Sequence, residues 1–355
     1  MIVSIPMDLI FLVAKPTVAP QKQNTHVNYK IVILMVFLLV LPNCHSHLVV
    51  QKTSTSPASD LKDWMDGESK SRITKFIRDV TTEGSPHFVP MENRKAFFDL
   101  DGTLITERPD YTEVLVARAK LSEKLRSNPS LANDPIYNAL LNNDEKFLQS
   151  NVKAVIAEAF QGETLEDYMS YSRKFLATHS HPKLDLTYIN TLYSPMIELI
   201  KYMKMHGFSI YIVSTSQQEF MQSLGLEMVG VPPQNMIGTL VGFKLSNLEQ
   251  SAPQSFVRTR SYYEPYNSDD GKVIRLRERV LLPAIFAFGN SMGDYAMLDS
   301  VADSGLPNLV CILDHDDSER EYEYHKKDLL QLAQERKWLV VSMKYDFKTV
   351  FKKKK

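Results

Sequence analysis

Two cysteines, Cys44 and Cys311, are all that 355 residues contain, so there is no disulfide framework and no zinc-type spacing. An excess of charge is missing too: 41 basic residues against 42 acidic ones leave a net charge of −1. No global field therefore draws the chain to nucleic acid or to a lipid surface. The sequence has no internal repeat, no glycine-rich nucleotide loop and no set of membrane-spanning helices. What it does have is apolar residues, 44% of the total, enough for a sizeable core and too many for a wholly disordered chain. A chain of this length holds two ordinary domains, or one core domain with an inserted cap.

The unbroken apolar run Ile31–Leu41 follows Lys30 and stops at Pro42. It is short for a bilayer span but suits the core of a secretory signal, with the small residue Ser46 a few positions on. Cys44 in Leu-Pro-Asn-Cys makes only a weak lipid-attachment box, because Asn43 is a poor neighbour for one. A second apolar patch, Leu9–Ala14, stands upstream, so either translation starts later than Met1 or the segment is an uncleaved anchor. Residues 1–48 are thus expected to be an extension that directs export to the periplasm or the exterior. Any membrane attachment runs through this segment. Residues 49–60 have linker composition, and the closing run Lys352–Lys355 is read as a solvated tail.

The chemistry concentrates in Lys95–Ile105, where a short apolar run ends abruptly in Asp99 and Asp101, followed by Gly102. Alternate residues of a strand share a face, so both carboxylates reach one point just beyond its end. In an open parallel sheet that point lies at the carboxyl edge, where ligands bind. Two anions so close need a cation or a proton between them. Gly102 lets the backbone turn where a side chain would clash; the plain alternative is a surface Asp-Gly turn.

Three later stretches bear on the choice. Phe208–Val213 reads as a buried strand that stops at Ser214–Thr215–Ser216, whose hydroxyls and turn amides can donate to an anionic oxygen. Lys272 opens a helical stretch after the turn Asn267–Gly271, with Lys244 as the alternative lysine in this part of the chain. Pro283–Phe288 is a further strand, ending in Gly289–Asn290–Ser291–Met292–Gly293–Asp294 and then a helix over Tyr295–Val301. Taken in order, these four stretches resemble the motifs of the haloacid dehalogenase-like (HAD) hydrolases, most of which are magnesium-dependent phosphatases. The resemblance covers roughly Leu61 to Phe351.

Between the first and second motifs, apolar residues recur at helical spacing over Tyr111–Leu125, Ile136–Phe147, Val152–Phe160, Leu165–Leu176 and Pro195–Met205. An insertion of this kind resembles the helical cap of the phosphoserine-phosphatase branch. The expected fold is therefore α/β, a Rossmann-like doubly wound parallel sheet with a mostly helical cap inserted between motifs one and two. Residues 61–92 form a helix packed on the core, 93–106 and 207–351 the core itself, and 107–206 the cap. Met236–Phe243 reads as a hairpin-like excursion, and His315–Arg320 as a solvated charged loop in preference to a His315–Asp317 metal pair. Tyr345–Phe347 and Phe351 are expected to pin the tail.

The resemblance implies a role for each residue. Asp99 is the nucleophile, forming an aspartyl-phosphate, and Asp101 is the acid and base that serves the leaving alcohol and then water. Ser214, Lys272 and Thr103 form the phosphate-binding set, Ser214 and Lys272 holding phosphoryl oxygens and Thr103 bracing the loop. Mg2+ is held by Asp99, Asp101 through its carbonyl, and the Asn290/Asp294 region. Asn290 stands where the family usually has a carboxylate, so either Asp294 supplies the missing charge or the metal binds more weakly. The family's dehalogenases lack the second aspartate, so Asp101 points to phosphoester hydrolysis. The implied function is a phosphatase acting on a small phosphomonoester, phosphoserine- or phosphocholine-like. The alternatives are a phosphotransferase using the same intermediate, or a catalytically degenerate binding protein.

Overall fold

The computed structural model describes residues 61–225, 229–246, 254–280 and 283–352. The chain divides into Met1–Ser54, which lies wholly outside these residues, and Thr55–Lys355, to which everything below refers. The expected signal or anchor, the linker and the last lysines thus fall outside the described residues. Among the described residues no helix is long and apolar enough to cross a membrane.

Six strands form one parallel sheet: β1 (Lys95–Phe98), β2 (Ser209–Gln217), β3 (Met236–Thr239), β6 (Phe286–Gly289), β7 (Leu309–Asp314) and β8 (Leu339–Ser342). Their spatial order is β3-β2-β1-β6-β7-β8, with Phe98 level with Ile212 on one side and Phe288 on the other. The order reverses direction at β1, so β1 ends at the switch point where open sheets place their ligands.

Helices cover both faces, as the alternation along each strand requires. Ala96 and Phe98 face a core that includes Ile73, Ile77 and Val80 of α1 (Glu68–Thr81), and Leu199, Ile200 and Met203 of α7 (Ser194–Met205). Phe97 faces the other way, onto Leu276 of α9 (Asp270–Arg279), Met297 and Val301 of α10 (Tyr295–Ala302), and Leu329 and Ala333 of α11 (Lys327–Arg336). Each such aliphatic side chain, fully buried, contributes about 1.5–3 kcal/mol before entropy is charged against it. Gly207, with φ of +77°, turns the chain from α7 into β2 as a left-handed terminator. Residues 61–67 lie outside α1, contrary to the helix expected from Leu61. Trp64 instead pairs with Phe347 and donates its ring N–H to the Pro195 carbonyl at 2.9 Å.

The inserted segment is helical over α2 (Thr112–Ser127), α3 (Pro135–Leu141), α4 (Glu145–Ser150), α5 (Val152–Phe160) and α6 (Leu165–Thr178). Thr164 caps α6 by accepting from the Asp167 N–H at 3.1 Å. The expected hairpin at Met236–Phe243 is not formed. β3 is instead the parallel edge strand, while β4 (Val241–Leu245) leaves the sheet to pair antiparallel with β5 (Phe256–Tyr262). β5 joins the cap helices, where Arg258 N donates to the Glu163 carbonyl at 2.9 Å. At the other end, Phe347 is buried and Phe351 packs on Tyr193, but Tyr345 is 71% exposed and pins nothing.

Candidate active site

Asp99 follows β1 directly, and its N–H donates to the Phe288 carbonyl at 2.9 Å, so the sheet ladder itself fixes the residue. The chain then makes a tight loop in which the Leu104 and Ile105 N–H groups converge on the Leu100 carbonyl, and Gly102 N–H reaches Ile105. Gly102 sits at φ +76°, and a Cβ there would lie 2.0 Å from Asn290 Nδ2. Only glycine fits.

Asp101 Oδ2 accepts from Ser216 Oγ at 2.8 Å and from Ser214 Oγ at 3.2 Å, while Oδ1 is buried without a partner. β2 runs on to Gln217 and does not stop at Ser214, which is why the second serine, two residues along, reaches the same carboxylate. Burial chiefly, with Glu107 adding to it against the serine hydroxyls, raises the Asp101 pKa to about 6. Lys272, near the start of α9, lies 2.6 Å from Asp99 Oδ1 and 2.6 Å from Asp294 Oδ1. Burial alone would weaken its hold on the proton, but the two carboxylates outweigh burial and its pKa rises. Asp99 is pushed well above the carboxylate range, by burial first and then by Asp294, with Lys272 opposing.

Two expected assignments are corrected by these contacts. Asp294, expected as a metal ligand, has Oδ1 on Lys272, while Oδ2 accepts from the N–H of Asn290, the N–H of Ser291 and the Ser291 hydroxyl. With one donor on Oδ1 and three on Oδ2, Asp294 anchors the lysine and caps the turn. Thr103, grouped with the phosphate ligands, is wholly buried and donates to Asn290 Oδ1 at 3.4 Å, away from the cavity. The reading of His315–Arg320 as solvated also fails: His315, Asp317 and Glu321 are buried, and Asp317 accepts from Arg320 and not from His315. Asn267 reads from the sequence as a plain turn residue, yet its Nδ2 donates to the carbonyls of Ser214 and Ile237 at 2.6 and 2.9 Å.

A cavity of about 150 Å³ opens above the carboxylates, lined on the core side by Asp99, Asp101, Ser214, Ser216 and Lys272. The cap closes the far side with Tyr111, Glu113, Val114, Val152 and Ile156. Glu113 accepts from Tyr168 OH at 2.6 Å and from the Gln217 N–H at 3.0 Å, tying cap helix α2 to the end of β2. Burial raises the Glu113 pKa to about 7 against those two donors. Arg258 is fully buried beneath this contact, 4.0 Å from the Tyr168 ring centroid and bonded to Gln217.

The site's donors fit a hard divalent cation. Asp99, Asp101 and Asp294 are three buried carboxylates against one lysine, a deficit of two positive charges. The oxygens that remain, those of Asp99, the Asp101 carbonyl and the Asn290 amide, are of the type magnesium selects. Asn290 Nδ2 is buried without an acceptor, and an amide's oxygen and nitrogen are told apart only by their partners. Among the described residues no three acidic, histidine or cysteine side chains cluster as a metal cage, so the set relies on a carbonyl and an amide.

The model of the haloacid dehalogenase-like hydrolase family matches residues 96–299. This chain belongs to that family. The match takes in Asp99, Asp101, Ser214, Lys272, Asn290 and Asp294 of the hydrolase, together with the whole cap. Its fold is similar to that of a conserved functionally unknown protein from Anaerococcus prevotii (14% identity, 77% of this chain and 91% of that one, TM-score 0.50). A protein of unknown function from Bordetella pertussis is also similar (18% identity, 70% and 98%, TM-score 0.48). So is a phosphoserine phosphohydrolase-like protein from Francisella tularensis (19% identity, 70% and 94%, TM-score 0.39). No curated protein matches the hydrolase's sequence.

Proposed function

We propose that this protein is a phosphomonoesterase of the phosphoserine-phosphatase-like branch, exported by its N-terminal segment, that hydrolyses a small ester through a phosphorylated Asp99. The observation that carries this reading is the convergence of Asp99, Asp101, Ser214 and Lys272 on one capped cavity. Asp99 presents Oδ2 to phosphorus while Lys272 holds Oδ1. As the Asp99–phosphorus bond forms, the bond from phosphorus to the alcohol oxygen breaks, and Asp101 gives that oxygen its proton. Water then attacks phosphorus and Asp101 takes its proton. The Asp99 bond breaks, and inorganic phosphate leaves.

A pKa raised to about 6 suits Asp101 to both halves of this cycle. The Ser214 hydroxyl and the Lys272 ammonium stabilise the transferring oxygens. Magnesium, held by Asp99, the Asp101 carbonyl and Asn290, supplies charge neutralisation and orientation when bound. The cap over the cavity limits the approach of water during the first step.

The cavity's chemistry also bears on the alcohol. Beyond the phosphoryl end its polar groups include Glu107, Glu113 and the hydroxyls of Tyr111 and Tyr266, and Lys272 is the one cation in its lining among the described residues. That surface disfavours a leaving group with a carboxylate and favours one bearing an amine or quaternary ammonium. Of the two candidate substrates, phosphocholine therefore fits better than phosphoserine. The test is hydrolysis of p-nitrophenyl phosphate and a panel of small esters with and without magnesium, using Asp99→Asn as control. Metal-dependent release of phosphate, lost in that variant by at least about 10³-fold, is expected. Turnover surviving in Asp99→Asn overturns the reading.

A further inference from the structure

The contacts behind the catalytic loop carry an inference that rests on this reading and goes past it. Gly102 is the loop's freest residue, since it lacks the Cβ that would restrict its rotation. Its carbonyl nevertheless has a dedicated partner. His315, at the end of β7 and 1% exposed, places Nε2 at 2.8 Å from the Gly102 oxygen. A carbonyl only accepts, so Nε2 carries the hydrogen.

The other ring nitrogen, Nδ1, lies 3.3 Å from Glu321 Oε2. Glu321 is fully buried and takes three further donors: the Thr106 hydroxyl at 2.7 Å, the Tyr193 hydroxyl at 3.0 Å and the Tyr322 N–H at 2.9 Å. These three donors fix the Glu321 carboxyl in place beside the ring. The ring is thus held from both sides, with Nε2 on the Gly102 carbonyl and Nδ1 facing Glu321. The Tyr324 ring stacks on it at 4.3 Å, fixing the plane of the imidazole. Thr106, from the catalytic loop's own exit, bonds the same glutamate that orients the histidine.

We propose that His315, oriented by Glu321, is a positioning residue that locks the Gly102 peptide and so aims the Asp101 carboxyl at the leaving oxygen. The two residues are neighbours in the chain, so a rotation about Gly102 displaces the loop that carries Asp101. Asp99 is insulated from such a rotation because the β1–β6 ladder holds its own N–H. Loss of the histidine should thus injure proton delivery more than nucleophilic attack.

Leaving-group dependence reads this difference. Departure of p-nitrophenolate needs little protonation, whereas an alkoxide must receive a proton as it leaves. Full-length protein with saturating magnesium is assayed on p-nitrophenyl phosphate and on ethyl phosphate. His315→Phe keeps the ring stack but removes both hydrogen bonds. Both esters give the same phosphorylated Asp99, so kcat/KM, which reports only the steps up to its formation, is compared. It is expected to fall by about 10²-fold on ethyl phosphate and by no more than about threefold on p-nitrophenyl phosphate. His315→Gln, whose terminal amide can donate to the Gly102 carbonyl, should recover most of the alkyl-ester rate.

A merely structural role would scale both esters by one factor, and that outcome overturns the proposal. An unchanged alkyl-ester rate also overturns it. If His315→Phe does not yield folded protein, Glu321→Gln carries the same comparison, with a smaller loss again confined to ethyl phosphate. Wild-type protein inactive on both esters overturns the phosphatase reading as well, which separates the two failures.

Discussion

Lys272 Nζ and Asp294 Oδ1 lie 2.6 Å apart, and both groups are buried. The carboxylate that the fourth motif offers for a metal is therefore spent on holding the lysine between itself and Asp99. Replacing Lys272 with Met leaves two adjacent buried carboxylates without a counter-ion. The expected cost is about 3–5 kcal/mol of stability, the usual penalty for stranding half of a buried pair, together with loss of turnover. Lys272→Arg should not restore activity, because a planar fork does not fit a slot cut for one ammonium. Urea unfolding and p-nitrophenyl phosphate turnover check both. A Lys272→Met protein as stable as wild type would show that the lysine is not what reconciles the two carboxylates.

The turn at Gly102 invites a contrast with Gly162. Both have positive φ, +76° and +83°, but a Cβ on Gly102 meets Asn290 Nδ2 at 2.0 Å while one on Gly162 meets nothing within 4 Å. Alanine in the left-handed region costs roughly 1–2 kcal/mol, and Gly162→Ala should lose about that and keep full activity. Gly102→Ala adds a steric collision at the site's centre. It is expected to destabilise further and to lower kcat on every ester, measured alongside Gly162→Ala in one urea series.

The parts of the site that were legible in the sequence are those built from contiguous residues. A short apolar run broken by two acids fixes a strand end and a carboxylate pair, and the spacing of Val152–Phe160 matches α5 residue for residue. What was hidden depends on residues brought together from far apart. His315–Arg320 reads as solvated because its acids and bases are polar; only the arrival of Gly102, Thr106 and Tyr193 from other elements buries them. Phe256–Tyr262 mixes arginine and serine with aromatics, so nothing in its pattern marks Arg258 as a fully buried cation. Its burial follows from Gln217, Glu219 and Tyr168, which lie on three other elements. Ser216 was within view, but a strand assumed to end at Ser214 gave it no reason to point at Asp101.

The pH dependence follows from Asp101. Its proton must be present for the first step, and burial holds its pKa near 6. For an alkyl ester, kcat/KM should therefore fall as pH rises through about 6. The Ser216 hydroxyl stabilises the ionised form from 2.8 Å, so removing it raises the pKa. Ser216→Ala should shift the alkaline limb to higher pH, whereas a serine that acted only on substrate would change the height of the profile and leave its midpoint alone. Rate profiles between pH 4 and 8 on ethyl phosphate distinguish these outcomes.

Asn290 decides how strongly the site holds its cation. With Asp294 committed to Lys272 and the turn, the Asn290 amide is the fourth-motif side chain free to bring an oxygen to a metal. A neutral oxygen gives up the Coulomb attraction that a carboxylate would add. Asn290→Asp restores that charge at little cost in hydrogen bonding, because Nδ2 has no acceptor to lose, while Thr103 can still donate to the remaining oxygen. Magnesium affinity measured by calorimetry should rise by at least about tenfold, equivalent to roughly 1.4 kcal/mol. The same change places a fourth carboxylate around Lys272, so in chelator the variant should melt below wild type. Magnesium should then raise its Tm by more than it raises that of wild type, since a ligand that binds only the folded state stabilises in proportion to its affinity. An affinity that stays level or drops would mean that residue 290 does not touch the metal, and the cation would have to be held by Asp99 and the Asp101 carbonyl without it.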